Sequence, residues 1–289
     1  MYPMTELLRP RQWIKNFFVF AGIIFAQQLG VAADRYKVLG AFALFCMLSS
    51  SVYLVNDVID VERDRLHPDK KFRPLPSGRV RRGTALSLGL VLGAIALALS
   101  FLLEPRFALV GATYLALMLA YSLFLKNIAF VDVFVIASGF VMRAIAGAVV
   151  IHVQISEWLL FCTFNLALLL AMGKRRAELV QLNEDAANHR GTLSEYNPAF
   201  LEHLVSIAAG VTIVSYGLYT LDQVTIQKFH THRLVYSVPF VIFGIFRYLY
   251  LIHLHEQGGN PTETAYEDRP LLITILLWLL VVSSIIYFR

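Results

Sequence analysis

The sequence predicts an all-α, polytopic membrane protein: nine transmembrane helices in one bundle. Three observations lead there. First, 57% of the 289 residues are hydrophobic and only 16% are charged, where a soluble domain carries about 25% charged residues. Second, apolar runs recur at about the 20 residues that a helical span needs, and they do not alternate as strands would. Third, the Lys and Arg residues between the runs are distributed one-sidedly.

The expected spans are 14–32, 36–56, 84–103, 107–125, 129–151, 157–173, 200–221, 234–254 and 270–288. The first follows MYPMTELLRPRQWIKN without a small-residue cleavage site, so it is expected to stay as an anchor. Very few residues join the fourth and fifth, which predicts a tight helical hairpin. No long polar linker divides the chain, so residues 1–289 are expected to form a single domain. Of 25 Lys and Arg, 17 fall on the N-terminal segment and alternate loops, 6 on the other side, and Arg143 and Arg247 lie within spans. The excess predicts an inside N-terminus and an outside C-terminus, with every dense charged segment on the cytoplasmic face.

Composition also excludes. The net charge of +5 is concentrated in particular loops, so topology and anionic ligands explain it, and no nucleic-acid partner is expected. Cys46 and Cys162 lie in apolar runs without CxxC spacing, which excludes a disulfide framework or zinc site. His253 and His255, two apart, would splay across a helix rather than share a metal. His230 and His232 fall in an expected outer loop. There is no phosphate-binding P-loop and no serine elbow. A transporter would show paired interrupted spans in two related halves, and none is evident.

The chemistry concentrates in NDVIDVERDRLHPDKKFRPLPSG, residues 56–78. At about 100° per residue, Asn56, Asp57, Asp60 and Asp64 fall within about one quadrant of a helix. Three clustered carboxylates repel one another and call for a cation. Mg²⁺, which takes oxygen ligands from one or two carboxylates plus substrate phosphates, fits. The plainer account is a solvated helix end whose acids balance Arg63, Arg65, Lys70, Lys71 and Arg73. Lys70 and Arg73 suit phosphate oxygens left free by a metal. Arg79, Arg81 and Arg82 are expected to serve topology. Pro74, Pro76 and Gly78 shape a loop.

The same stretch resembles the first aspartate motif of the UbiA-type superfamily of intramembrane prenyltransferases. LRPRQWIKN (8–16), YSLFLKN (121–127), DVFVIASGFVMRAIAGA (132–148), MGKRRAEL (172–179) and EDRPLL (267–272) extend the resemblance and bring it closest to the decaprenyl-phosphate phosphoribosyltransferase branch. The resemblance implies a UbiA-like bundle with a cytoplasm-facing active site in the bacterial plasma membrane. It implies Mg²⁺-dependent transfer of 5-phosphoribosyl from phosphoribosyl diphosphate to a polyprenyl phosphate, in cell-wall arabinan precursor synthesis. The alternative is a prenyltransferase with an aromatic or other small acceptor. That alternative would carry a second aspartate motif, where this chain has GKRRAELVQLNED, led by Lys174, Arg175 and Arg176, with Glu178, Glu184 and Asp185 out of register. A donor with two anionic groups and a phosphate acceptor call for this more basic loop.

Other residues keep two readings. Lys126, in the family's Y-x-x-x-x-K pattern with Tyr121, is expected to bind phosphate; the plainer role is a snorkelling anchor. Asp132 is placed to orient Lys126, hold a sugar hydroxyl or assist the metal. Arg143, inside the fifth span, is expected to meet phosphate or a structural partner. Small residues around it, Gly139, Ala144, Ala146, Gly147 and Ala148, suit close helix packing. Arg11 and Lys15, four apart, are expected to face one way, toward the lipid phosphate or as topology anchors. Arg247 belongs to a cavity or to the inner edge. The catalytic set is therefore Asp57, Asp60, Asp64, Lys126 and Asp132; the sequence leaves a homo-oligomer open.

Overall fold

The computed structural model describes residues 3–182, 196–254 and 261–288. Glu184, Asp185 and His255, read above from the sequence, lie outside the described residues. All regular structure among the described residues is helical. They fall into two compact units, one up to Gln154 and one from Ile155 onward.

The first unit runs α1 (Pro3–Leu7), a 3₁₀ helix (Pro10–Phe20), α2 (Ala21–Phe25), α3 (Ala32–Leu66), α4 (Arg82–Leu103), α5 (Pro105–Leu123), a 3₁₀ turn (Leu125–Asn127) and α6 (Val131–Val149). The second runs α7 (Glu157–Leu182), α8 (Pro198–Leu221), α9 (Gln223–Phe229), a 3₁₀ turn (Arg233–Ser237), α10 (Val238–Leu254), α11 (Pro261–Glu267) and α12 (Arg269–Tyr287). Local signals set several starts. Glu104, Asn197 and Asp268 accept the backbone N–H of Arg106, Ala199 and Leu271, and each precedes a proline in the first turn, where a missing N–H costs nothing.

Among the described residues, eight helices are long and apolar enough to cross a membrane. They match eight of the nine expected spans. The first expected span, 14–32, differs: it is the end of the 3₁₀ helix followed by the single short α2. An eleven-residue 3₁₀ helix is unusual, since runs beyond three or four residues are uncommon. Its packing explains it. Three residues per turn stack i, i+3 and i+6, so Asn16 and Val19 lie fully buried on one row beneath Trp13, while Arg11, Ile14 and Phe17 form an exposed row. The geometry corrects one expectation. Four residues apart on a 3₁₀ helix is about 120°, so Arg11 and Lys15 do not share a face.

Two glycines seat this segment on α6 backbone to backbone. A methyl group on Gly22 would fall 2.7 Å from the Ala148 nitrogen, and one on Gly147 would fall 2.6 Å from the Val19 carbonyl carbon. The packing role read for Gly147 is thus real. Beside it, Phe45 and Leu48 of α3, Phe107 and Tyr114 of α5, and Ala146 of α6 form the unit's buried core.

Two helices outrun their expected ends. α3 continues ten residues past position 56, so the whole aspartate motif is on one continuous helix. α7 continues to Leu182. The expected basic loop beginning at Lys174 is therefore helical there, stabilised by Glu178 at i+4 from Lys174 and at i+3 from Arg175.

Candidate active site

The charged cluster lies at the C-terminal end of α3, where the chain turns from apolar to polar. Asp57 and Asp64 are buried there, and Asp60 is half-buried. Each has a basic partner. Asp57 accepts a bond from Arg9, and Arg73 stands 3.7 Å from the same carboxylate. Asp64 accepts from Arg73 at 2.9 Å. Asp60 accepts from Lys126 at 2.5 Å, and that lysine is only 5% exposed. The burial of Lys126 and its carboxylate partner decide against a merely snorkelling side chain. Asn56 sits half-buried on the same helical quadrant.

Three segments deliver the bases, and each is held locally. His67, buried after the last turn of α3, accepts the backbone N–H groups of Asp69 and Lys70 and so shapes the turn that carries Lys70 and Arg73. Pro74, Leu75 and Pro76 are buried behind Arg73, and the Ser77 hydroxyl donates to its carbonyl. Burial pushes the Arg73 guanidinium down from its ordinary pKa, the neighbouring Arg9 charge adds to that, and Asp57 and Asp64 oppose both. Lys126 comes from the 3₁₀ turn after α5. Asp132 opens α6, fully buried, and accepts the Val133 N–H at 2.8 Å. Tyr121, half-buried, packs on the core beneath.

Deeper in the unit, Arg143 is buried and bonded on three sides: to Asn16 at 2.7 Å, the Gly139 carbonyl at 2.7 Å and the Tyr114 hydroxyl at 2.8 Å. Its guanidinium also lies over the Tyr114 and Phe140 rings. Of its two readings, these contacts describe the structural one. Asn16 in turn donates to Ser49 at 3.1 Å on α3.

Among the described residues, no three His, Cys, Asp or Glu side chains converge as a ready metal site. The donor chemistry nevertheless fits Mg²⁺. The side chains on this face are oxygen donors: Asp57, Asp60 and Asp64 share one helix face, and Arg73 reaches two of them. A divalent ion would displace the paired bases, which would then be free for phosphate.

Known proteins agree on what kind of molecule this is. Residues 16–263 match the model of the UbiA prenyltransferase family. The chain belongs to that family. A decaprenyl-phosphate phosphoribosyltransferase from Mycolicibacterium smegmatis is 36% identical over 99% of this chain and 92% of its own length. One from Corynebacterium glutamicum is 35% identical over 98% of this chain and 86% of its own. The solved structure of a UbiA homolog from Archaeoglobus fulgidus, bound to DMAPP and Mg²⁺, superposes with a TM-score of 0.73 at 18% identity, covering 98% of this chain and 99% of that one. The fold is thus the UbiA fold, and the UbiA family together with the apolar helices makes the protein a multi-pass membrane protein.

The second unit of this UbiA-family protein carries the other basic residues. Arg175 is 2% exposed and donates to Glu178 at 2.5 Å. Lys174 stands 3.8 Å from Glu178 with its side chain partly exposed. Arg176 binds Glu202 at 2.7 Å and the Ile252 carbonyl at 2.8 Å, tying α7 to α8 and α10. Arg247 forms a two-point pair with Asp268 at 3.1 and 2.7 Å, the same aspartate that caps α12. It therefore belongs to a helix junction.

Sequence reasoning missed Arg9, Asn16, His67 and Tyr114. In the sequence Arg9 is only one of the 17 basic residues on the N-terminal side. Its signal was its place in LRPRQWIKN. Asn16 had a physical signal: an amide inside an apolar run needs a buried partner, and Arg143 is one.

Proposed function

We propose that this protein transfers the 5-phosphoribosyl group from phosphoribosyl diphosphate to a polyprenyl phosphate and releases diphosphate. The reading would place it in cell-wall arabinan precursor synthesis, in the bacterial inner membrane, with the α3 cluster on the cytoplasmic side. The observation that carries it is the cluster itself. Three aspartates on one helix face, each matched by a basic side chain, suit a metal-bound diphosphate. The likeness to decaprenyl-phosphate phosphoribosyltransferases over nearly the whole chain supports the choice of donor and acceptor.

In this reading Asp57, Asp60 and Asp64 would hold Mg²⁺, with Asn56 in support. When bound, the ion offsets charge on the leaving diphosphate. Arg73 and Lys126, released from their carboxylates, hold phosphate oxygens together with Lys70. Asp132, fixed by the Val133 N–H, faces the sugar or orients Lys126. Lys174 adds positive charge for the phosphates, and Arg175 braces the end of α7 through Glu178. Arg11 and Lys15, on different faces of the 3₁₀ helix, are left to the lipid phosphate and to topology. The acceptor phosphate is already anionic at neutral pH and needs no strong general base. It attacks the anomeric carbon opposite the leaving group, which inverts that centre, and the residues act by positioning and charge stabilisation. We also assign the first crossing to the 3₁₀ helix and α2. Together they extend about 30 Å at the rises of the two helix types, which matches the hydrocarbon thickness.

The test is diphosphate release by the purified chain in detergent, with phosphoribosyl diphosphate or a prenyl diphosphate, each with its acceptor. Release from the ribosyl donor, lost on chelation, is expected. Release from the prenyl donor alone, or undiminished release after exhaustive chelation, refutes the reading.

A further inference from the structure

We propose that Arg9 is a ligand of the donor's diphosphate, parked on Asp57 at rest and released to a phosphate oxygen when that carboxylate takes a cation. The inference rests on the phosphoribosyl-transfer reading and extends it to a residue outside the aspartate motif.

Four observations carry it. First, one carboxylate faces two guanidinium groups. Arg9 and Arg73 both approach the same oxygen of Asp57, Arg73 at 3.7 Å. Arg73 already bonds Asp64 at 2.9 Å and still stands beside Asp57, so Asp57 keeps a basic neighbour when Arg9 lets go. Second, Arg9 has φ 51 and ψ 58, the left-handed region, immediately before Pro10. A residue with a Cβ adopts that backbone against steric resistance and holds it only where surroundings demand it. Third, the position does not depend on the Asp57 bond. Leu7, on one side, is 2% exposed in a satellite core with Leu54, Val61, Leu75 and Ala85. The Ser50 hydroxyl donates to the Leu8 carbonyl at 2.7 Å, and Glu6 pairs with Arg79 at 2.9 Å. On the other side, Trp13 donates to Ser50 at 3.0 Å. The backbone therefore stays in place when the side chain lets go. Fourth, the guanidinium lies 5.1 Å from the centre of the Tyr53 ring, and its side chain is 22% exposed. The ring offers the cation a second resting contact, and the exposure leaves a path to an incoming group. A planar guanidinium fork also suits paired phosphate oxygens better than an ammonium does.

The test measures binding of inorganic diphosphate with Mg²⁺, and of Mg²⁺ alone, to the full chain in detergent without acceptor lipid. In Arg9→Gln the diphosphate affinity should fall about 10-fold or more, the loss expected for a charge-assisted hydrogen bond. Mg²⁺ alone should bind no more weakly than before, because its competitor for Asp57 is gone. Arg9→Lys, which keeps the charge and loses the fork, should bind diphosphate with intermediate affinity, and it guards against a variant that merely misfolds. Diphosphate binding equal to or tighter than that of the unmodified chain in Arg9→Gln overturns the inference while leaving the transfer reading intact. So does a parallel loss of both affinities in the two variants, which makes Arg9 a support of Asp57 only. If the unmodified chain binds no diphosphate with Mg²⁺, the transfer reading falls and the inference with it.

Discussion

Gly147→Ala should detach the N-terminal segment from the rest of the first unit. A methyl group at position 147 would lie 2.6 Å from the Val19 carbonyl carbon, and closer still to its oxygen. Both are backbone atoms that no rotamer can move. Ordinary contact needs about 3.4 Å, so the 3₁₀ helix must retreat by about 1 Å or the strain stays in place, at about 1–3 kcal/mol for overpacking. Retreat has its own cost. Asn16, three residues before Val19, bonds Arg143 at 2.7 Å, and an added 1 Å takes that bond beyond hydrogen-bonding range. Loss of a buried hydrogen bond to a charged group costs about 1.5–3 kcal/mol. Whichever way the segment yields, the cost is about 1–3 kcal/mol, or about 5 °C in apparent melting temperature. The assay is thermal unfolding in detergent beside Gly210→Ala. At Gly210, in α8, an added methyl meets nothing within 4 Å, and the better helix former should raise stability by about 0.5–1 kcal/mol. Turnover should fall further than stability in Gly147→Ala, because the same segment carries Arg9. A melting temperature within about 2 °C of the unmodified chain would refute the backbone-contact reasoning.

Asp60→Asn should abolish turnover yet leave a folded protein, since Asp60 is only half-buried and an asparagine oxygen there still accepts from Lys126; near-normal turnover in the folded variant removes Asp60 from the metal set. Lys174→Ala should raise the donor's apparent KM more than the lipid's, read from initial rates with each substrate varied; an effect confined to the lipid reassigns that end of α7. Arg143→Gln should lower melting temperature by about as much as losing a buried charged hydrogen bond, about 1.5–3 kcal/mol, with the donor KM nearly unchanged. A large rise in donor KM at unchanged stability would instead make Arg143 a phosphate ligand.

The helices were legible because apolar runs of membrane length leave little choice of structure. The aspartate face was legible because helical periodicity continues past the apolar run into 57–64, and α3 does continue. The first segment was not. Whether residues 10–20 wind as α or 3₁₀ depends on Gly147 and Arg143, more than a hundred positions away, and a stretch of sequence does not carry its partners' backbone. The end of α7 was misread for a related reason. A change from apolar to charged residues marks a membrane boundary, but AELVQL after Lys174 favours helix on either side of it. Of the site, the acids could be read from their spacing, and the pairing of base to acid could not. Lys126 finds Asp60 across 66 positions and Arg9 finds Asp57 across 48.

That pairing bears on how such a site works. Three ionised carboxylates within two helical turns, two of them buried, are costly unless matched, and Arg9, Arg73 and Lys126 supply the match. A cation arriving alone would have to compete with these bases and would leave them without partners. A diphosphate arriving alone would meet bases already engaged and carboxylates that repel it. Arriving together, each relieves the cost of the other: the carboxylates exchange bases for the ion, and the bases exchange carboxylates for phosphate oxygens. The number of charge contacts is conserved while every partner changes. Under the proposed function, affinity for the metal and for the donor should therefore be strongly coupled, each raising the other by the same factor. Independent binding of the two, measured over a grid of Mg²⁺ and diphosphate concentrations, would mean that the bases stay on their aspartates and that the phosphates are held elsewhere.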